Sequence, residues 1–457
     1  MINSDCSQRE YVGTHTLNRM EIDEMKKLEC LGILLVVIGV FFSVSASEVC
    51  ADVSPGDVID KTNWEKVSEL VPAPVLEWIK KGDFILNIGS LNYDITEYYT
   101  PDALKSFQAN KGKYALNEND RIIETGTGKS PTYIEGIPFP NVEPDDPKLP
   151  QKLLINKHYT TYTFGIFVYP HQVRWIGRSG LEREVSNVYI NAPMDGYPPH
   201  KSLPNPEGVE RYLLVKVFKP YDVAGFGLLL WRYRDDRQDM NLSYVPAIRR
   251  TRRMTPANRS DAFLGSDFCV DDGWGFDAKV SQFTWKVLRK QEALCPYPAP
   301  NPERIVQNSR GEWQTTLDAT PQVYGYEKEG WKGAPWAPVS WIWVKHPVYV
   351  VEAVSKDPYY NYGKQEMWID PAVNFPVFKV IYDRSGKYWK AMMNGVVGCE
   401  SADKKMRYMI CAIMLMIDDR MDHATETVHY YRKNIYTHFA VQNMNDFTMA
   451  GFQKYCK

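Results

Sequence analysis

The sequence predicts a mainly β fold of the α+β class, a large antiparallel sheet with a few covering helices. Thirteen Trp, 29 Tyr and 18 Phe stand beside 30 Pro and 29 Gly, a composition suited to strands and turns rather than helical bundles. Alternating apolar and polar residues recur from about Val173 onward, with turn residues at short intervals. With 457 residues, 44% hydrophobic and 24% charged, the chain can fill one large or two medium cores, which excludes disordered and collagen-like classes. A net charge of -2 gives no reason to expect nucleic acid as a partner.

The first element is an export signal. Lys26 and Lys27 precede the apolar run Leu31 to Val44, which is followed by Ser45-Ala46-Ser47 and Val49-Cys50-Ala51. The run is shorter than the ~20 residues that span a bilayer, so cleavage is expected after Ala51, with Ala46 as the other small-residue site. Translation from Met25 would explain the polar residues ahead of the signal. Cys50 follows Ser47, Glu48 and Val49, which is a poor lipidation site. These features place the mature chain in the periplasm, with outer-membrane association open and no stable membrane span after cleavage. Cys269, Cys295, Cys399, Cys411 and Cys456 remain without any Cys-x-x-Cys spacing, so a zinc or thioredoxin-like motif is not expected. Disulfides and burial as small apolar groups are both open readings.

Three regions follow: leader and signal over 1–51, a mixed, loop-rich part over 52–150, and a sheet body over 151–457. In the second, Asn63 to Lys81 has helical spacing broken by Pro72 and Pro74, and Thr100-Pro101-Asp102 reads as a helix N-cap. In the third, Arg174 to Gly177 turns through Ser179-Gly180 into Glu182 to Ile190, and Tyr212 to Phe218 is a further strand. Along Leu228 to Arg234, Leu229, Trp231 and Tyr233 share one face while Leu230, Arg232 and Arg234 share the other, predicting a strand with one wet side. Phe283 to Val287 alternates likewise. Met367 to Asp370, Phe378 to Tyr382 and Tyr388 to Met392 form a meander with turns at Pro371 and Asp383 to Gly386. Met406 to Ile417 is apolar on both faces, so it should be central or line an apolar space. Met406, Tyr408, Ile410, Ala412 and Met414, with Trp231 and Tyr233, are therefore the candidate ligand-cavity residues.

No catalytic or metal motif emerges, and no cofactor is expected. Gly126 to Ser130 imitates a phosphate loop but has Ile123 where the first Gly belongs and no helix after it. His-Glu-x-x-His and Gly-x-Ser-x-Gly are absent. The densest signal is Tyr244 to Arg253, continuing to Arg259 and then Gly265-Ser266-Asp267 and Asp271-Asp272. Arg249, Arg250, Arg252 and Arg253 would emerge on both sides of a strand and need partners. Pairing with Asp261, Asp267, Asp271 and Asp272 is the architectural reading, and capture of an anionic head group is the functional one.

These residues resemble a family of bacterial exported proteins of unassigned function related to outer-membrane lipoprotein-sorting proteins of the LolA and LolB type. The resemblance is carried by Gly136 to Pro140, Asp222 to Gly225 running into Leu228 to Trp231, and Tyr244 to Arg253 with Gly265 to Asp267. Met367 to Pro371, Tyr382 to Gly386 and Asp418 to Ala424 also carry it. It implies a strongly curved antiparallel sheet, an incomplete barrel closed by helices, with an apolar cavity for acyl chains. It also implies a periplasmic relay beside a lipid-exporting transporter of the resistance-nodulation-division type. The expected function is non-covalent binding or carriage of a lipid or other apolar molecule, without enzymatic chemistry. An envelope glycan hydrolase using aromatic platforms, or a structural envelope factor, is the alternative.

Overall fold

Alternation and turn chemistry produce most of the strands where the sequence predicts them. The computed structural model describes residues 53–457 except 256, 318–321 and 429–434, so the leader and signal peptide predicted over 1–51 lie outside the described residues. Near the start, β1 (Val58–Ile59) and β2 (Leu86–Ile88) flank α1 (Ala73–Lys81). That helix begins after Pro72 and stops at Gly82, whose φ of 78° favours glycine. α2 (Pro101–Ala109) is capped as expected, the Thr100 side chain accepting from Ala103 N–H at 3.2 Å. β3 (Tyr114–Leu116) and β4 (Ile122–Glu124) make a separate hairpin, and the residues resembling a phosphate loop sit in the exposed turn after it.

α3 (Leu149–Tyr162) is buried nearly all round, carrying Asn156, Lys157 and His158 inside with its leucines. Its uniform burial leaves no polar stripe, which is why helical periodicity is invisible there. β5 (Phe167–Gly177), β6 (Gly180–Pro193), β7 (Val209–Lys219), β8 (Gly227–Tyr233), β9 (Met240–Val245) and β10 (Arg250–Met254) pair antiparallel in chain order.

The second half adds β11 (Phe283–Tyr297), β12 (Glu303–Gln307), β13 (Trp313–Thr315), β14 (Ile342–Ser355), β15 (Lys364–Asp370) and β16 (Phe375–Tyr382). β17 (Tyr388–Ser401), β18 (Arg407–Asp418), β19 (His423–Val428), β20 (Tyr436–His438) and α4 (Met449–Cys456) complete it. β14 to β19 continue the antiparallel order, and β19 joins β5 through Ala424↔Ile176.

Closure differs from the expected incomplete barrel. β20 pairs with β5, β13 with β20, and β12 with both β13 and, in parallel, β17 through Glu303↔Cys399. The ring of β5, β19, β18, β17, β12, β13 and β20 is therefore a closed barrel of seven strands, with the other strands as extensions. Its closing strands are three to five residues long, too short for a period-two signal. Val53–Lys457 forms one unit by its contacts, and none of its described helices is long and apolar enough to cross a membrane.

The sheet of β5 to β9 is covered on both faces. On one, Val188, Ile190, Leu214, Leu229 and Leu242 pack against Phe447, Phe452 and Cys456 around α4. α4 comes so close that a Cβ on Gly227 would lie 2.3 Å from Cys456 Sγ. On the other, the residues linking β10 to β11 form a strap of short 3-10 turns. The predicted wet side of β8 is thus absent. Leu230 and Arg232 are buried, and Arg232 Nε donates to Asp239 at 3.2 Å. All five described cysteines are free and buried, as small apolar groups would be.

Candidate functional site

The strap from Asn258 to Gln282 is rich in turn residues, and charges pin both of its ends. Arg259 Nε lies 2.5 Å from Asp271 Oδ1, and Arg259 Nη1 donates to Asn241 at 2.8 Å. At the far end Arg211 Nη2 lies 2.6 Å from both oxygens of Asp277. Burial would raise the Asp277 carboxyl, but the Arg211 and Arg232 charges outweigh it and hold that group well below the usual carboxylate range. Asp272 joins Lys379 at 2.7 Å and the Tyr362 hydroxyl at 2.7 Å. On the flank, the Asp267 carboxylate accepts from Thr425 Oγ1 at 2.6 Å and lies 2.8 Å from His423 Nδ1; that bond raises the imidazole.

Between these anchors the strap is apolar, and it stands off the sheet. Phe263, Phe268 and Val270 stand with Val173, Leu213, Val215 and Leu228 around a half-open cavity of about 90 Å³ whose lining includes Met414 and Asn187. Trp274 N–H points to Met414 Sδ at 3.1 Å. Leu228, Phe263 and Val270 also line a more open groove of about 350 Å³, whose wall includes Phe226, Met254, Arg252 and Arg253. An apolar interior thus adjoins, across three shared side chains, a groove bearing two exposed guanidiniums. Such a shape accepts an apolar chain and offers a cationic rim to whatever head group it carries.

The structure divides the candidates read from the sequence. Met414 lines the cavity. Tyr408, on the same strand, is buried with its hydroxyl 2.8 Å from His438 Nδ1, while Ile410 and Ala412 are fully buried beside it and Met406 lies in the turn before β18. Trp231 and Tyr233 point to the opposite sheet face. Trp231 Nε1 donates to Phe447 O at 2.7 Å, and Tyr233 packs with Met194 and Val209.

The arginine strand also differs from its architectural reading. Arg249 occupies a turn with φ of 50°, and Arg250, Arg252 and Arg253 are exposed. None of the four forms an ion pair among the described residues; Asp271 is taken by Arg259, and Asp267 by His423 and Thr425. Asp261 is held by Asn258 and Asn361. Sequence reasoning missed Leu213, Val215, Phe263, Phe268 and Asn187, although the apolar runs on both faces of β7 and β8 carried a signal for the first two. No group of three His, Cys, Asp or Glu side chains among the described residues converges as metal ligands.

Comparison with known proteins adds a family. No curated protein matches the chain. An outer membrane lipoprotein-sorting protein domain from Vibrio parahaemolyticus aligns with 16% identity over 66% of this chain and 97% of its own, at a TM-score of 0.44. A DUF1329 family protein from Desulfovibrio piger aligns with 13% identity over 66% and 97%, at 0.43. A LolA superfamily protein from Nitrosomonas europaea gives 12% identity over 66% and 97%, at 0.38. The family model for proteins of unknown function DUF1329 matches residues 58–453, nearly the whole described chain, and the protein therefore belongs to that family.

Proposed function

We propose that the protein binds and carries an apolar or amphipathic small molecule, a lipid in the broad sense, without covalent chemistry. The observation that carries the reading is the apolar cavity beneath the strap, separated from the arginine-rimmed groove only by the side chains of Leu228, Phe263 and Val270, which line both. About 90 Å³ is less than the ~150 Å³ of an engineered cavity that admits benzene, so a chain-shaped tail must run through both spaces rather than lie in the inner one. Apolar walls supply affinity in proportion to the ligand area they bury, and the strap shields that area from water. The signal-like leader read from the sequence supports a periplasmic setting for this activity. A resistance-nodulation-division transporter is supported by none of these observations and forms no part of the proposal.

Leu228→Trp tests the reading, because Leu228 lines both spaces and an indole there would fill the boundary between them. The wild-type protein should bind the neutral dye N-phenyl-1-naphthylamine with a rise in fluorescence. The variant should unfold as cooperatively as wild type while losing most of the dye signal. Dye binding unchanged in a folded variant, or absent from wild type, would contradict the assignment.

A further inference from the structure

We infer that the cavity recognises a neutral hydrogen-bonding group, of the hydroxyl or protonated carboxyl kind, at the leading end of its ligand, and that Asn187 is the residue that holds it. The inference rests on the proposed binding role and names the ligand chemistry that role requires. Asn187 sits on β6 between His171 of β5 and Val217 of β7, and only 2% of it is exposed. It lines the apolar cavity, and neither Nδ2 nor Oδ1 has a hydrogen-bond partner.

Other polar side chains on the same wall are engaged. His171 Nδ1 is 3.3 Å from Tyr169 O, and Thr427 Oγ1 accepts from Met414 N–H at 3.2 Å. Asp272 is bonded to Lys379, and Asp277 to Arg211. A buried amide with both ends unmade is costly, since the desolvation of each end goes uncompensated. Leucine has nearly the same shape and would fill the site without that cost. The amide is therefore best explained by a group that comes to it.

The two free ends define that group. Nδ2 needs an acceptor and Oδ1 needs a donor. A carboxylate has no proton for Oδ1, and an ammonium has no lone pair for Nδ2. Either ion would also enter an apolar space without a counter-charge of its own. An alcohol or a protonated carboxyl supplies both functions while remaining neutral, and its tail can follow the apolar walls toward Leu228 and the outer groove.

The test uses the full chain and two probes of similar shape, 1-octanol and 1-chlorooctane, each displacing N-phenyl-1-naphthylamine. The quantity read is the preference for the alcohol, as a ratio of the two dissociation constants in each protein, which cancels the difference in their hydrophobicity. Asn187→Leu should lower that preference about tenfold while leaving 1-chlorooctane affinity within about twofold, and it should melt no lower than wild type. Asn187→Ala, which cannot overpack the site, should lose the preference equally and serves if the leucine variant folds poorly. An unchanged preference in either folded variant would overturn the inference, because an ordered water or nothing at all would then satisfy Asn187. Failure of wild type to bind either probe would remove the cavity reading along with it, so the two failures are distinguishable.

Discussion

Replacing Asp277 by Asn should cost the folded protein about 3–5 kcal/mol, because the change leaves buried guanidiniums without their counter-charge. Arg211 makes both short contacts to this carboxylate, while Arg232 Nη1 and Arg259 Nη2 each lie 3.9 Å away. At an effective dielectric of about 20, a pair of charges 4 Å apart is worth about 4 kcal/mol, and repulsion among the three cations cancels part of the sum. Asn preserves shape and some hydrogen bonding, so the loss reports charge. Total stabilities of 5–15 kcal/mol are usual, so the loss should be plain in urea unfolding followed by tryptophan fluorescence, with Trp274 in the strap as one reporter.

The sign of the pH dependence follows from the depressed carboxyl. The unfolded chain takes up this proton near pH ~3.9, the folded chain only at lower pH, so the stabilisation is present above pH ~4 and lost as pH falls through the folded value. Wild type should lose its advantage over the variant on that acid limb. A deficit under ~1 kcal/mol at pH 7, or one that persists undiminished below pH 3, would refute the reasoning. Arg211→Met added to Asp277→Asn should recover part of the loss, since an apolar side chain needs no counter-charge.

Arg252→Gln with Arg253→Gln should change urea stability by less than ~0.5 kcal/mol, since both are exposed and form no ion pair among the described residues; a loss above ~2 kcal/mol would restore an architectural role. Asp370, fully buried with Oδ2 making no hydrogen bond and lying 3.5 Å from His346 Nδ1, is pushed up to about 7 by burial, against a backbone bond from Ala372. Its folded value is raised, so its contribution is fully present below pH ~4 and lost as pH rises through about 7. Asp370→Asn should therefore gain on wild type between pH 5 and 8, by an amount on the order of 4 kcal/mol at most. Equal melting temperatures across that range would contradict the assignment.

Much of the fold was legible because period-two alternation and turn residues coincide in long strands. Leu228 to Tyr233, Phe283 to Val287 and Arg407 to Ile417 fall in the strands the sequence predicts, with Arg234 and Met406 each one residue outside. The Thr100-Pro101 cap likewise marked α2 because a cap is a local hydrogen bond. Barrel closure was illegible, since β12, β13 and β20 are too short to alternate and gain their partners only through long-range pairing.

The site was half legible for a related reason. Arg252, Arg253 and Met414 were marked by charge density and two-sided apolarity; the two arginines line the outer groove and Met414 the inner cavity. Trp231 was misplaced because alternation tells which residues share a face but not which face a ligand meets; here α4 covers that face. The guanidiniums that have buried partners are Arg211, Arg232 and Arg259, separated in the sequence and joined only when the strap returns across β7 and β8.

Native mass spectrometry of the full chain purified from its own host, with organic extraction of whatever it retains, tests the central claim most directly. The account predicts a bound mass carrying an apolar chain and a neutral hydroxyl or carboxyl, retained by wild type and missing from folded Leu228→Trp. A wild-type protein that is homogeneous at its polypeptide mass and yields no apolar extract would contradict it.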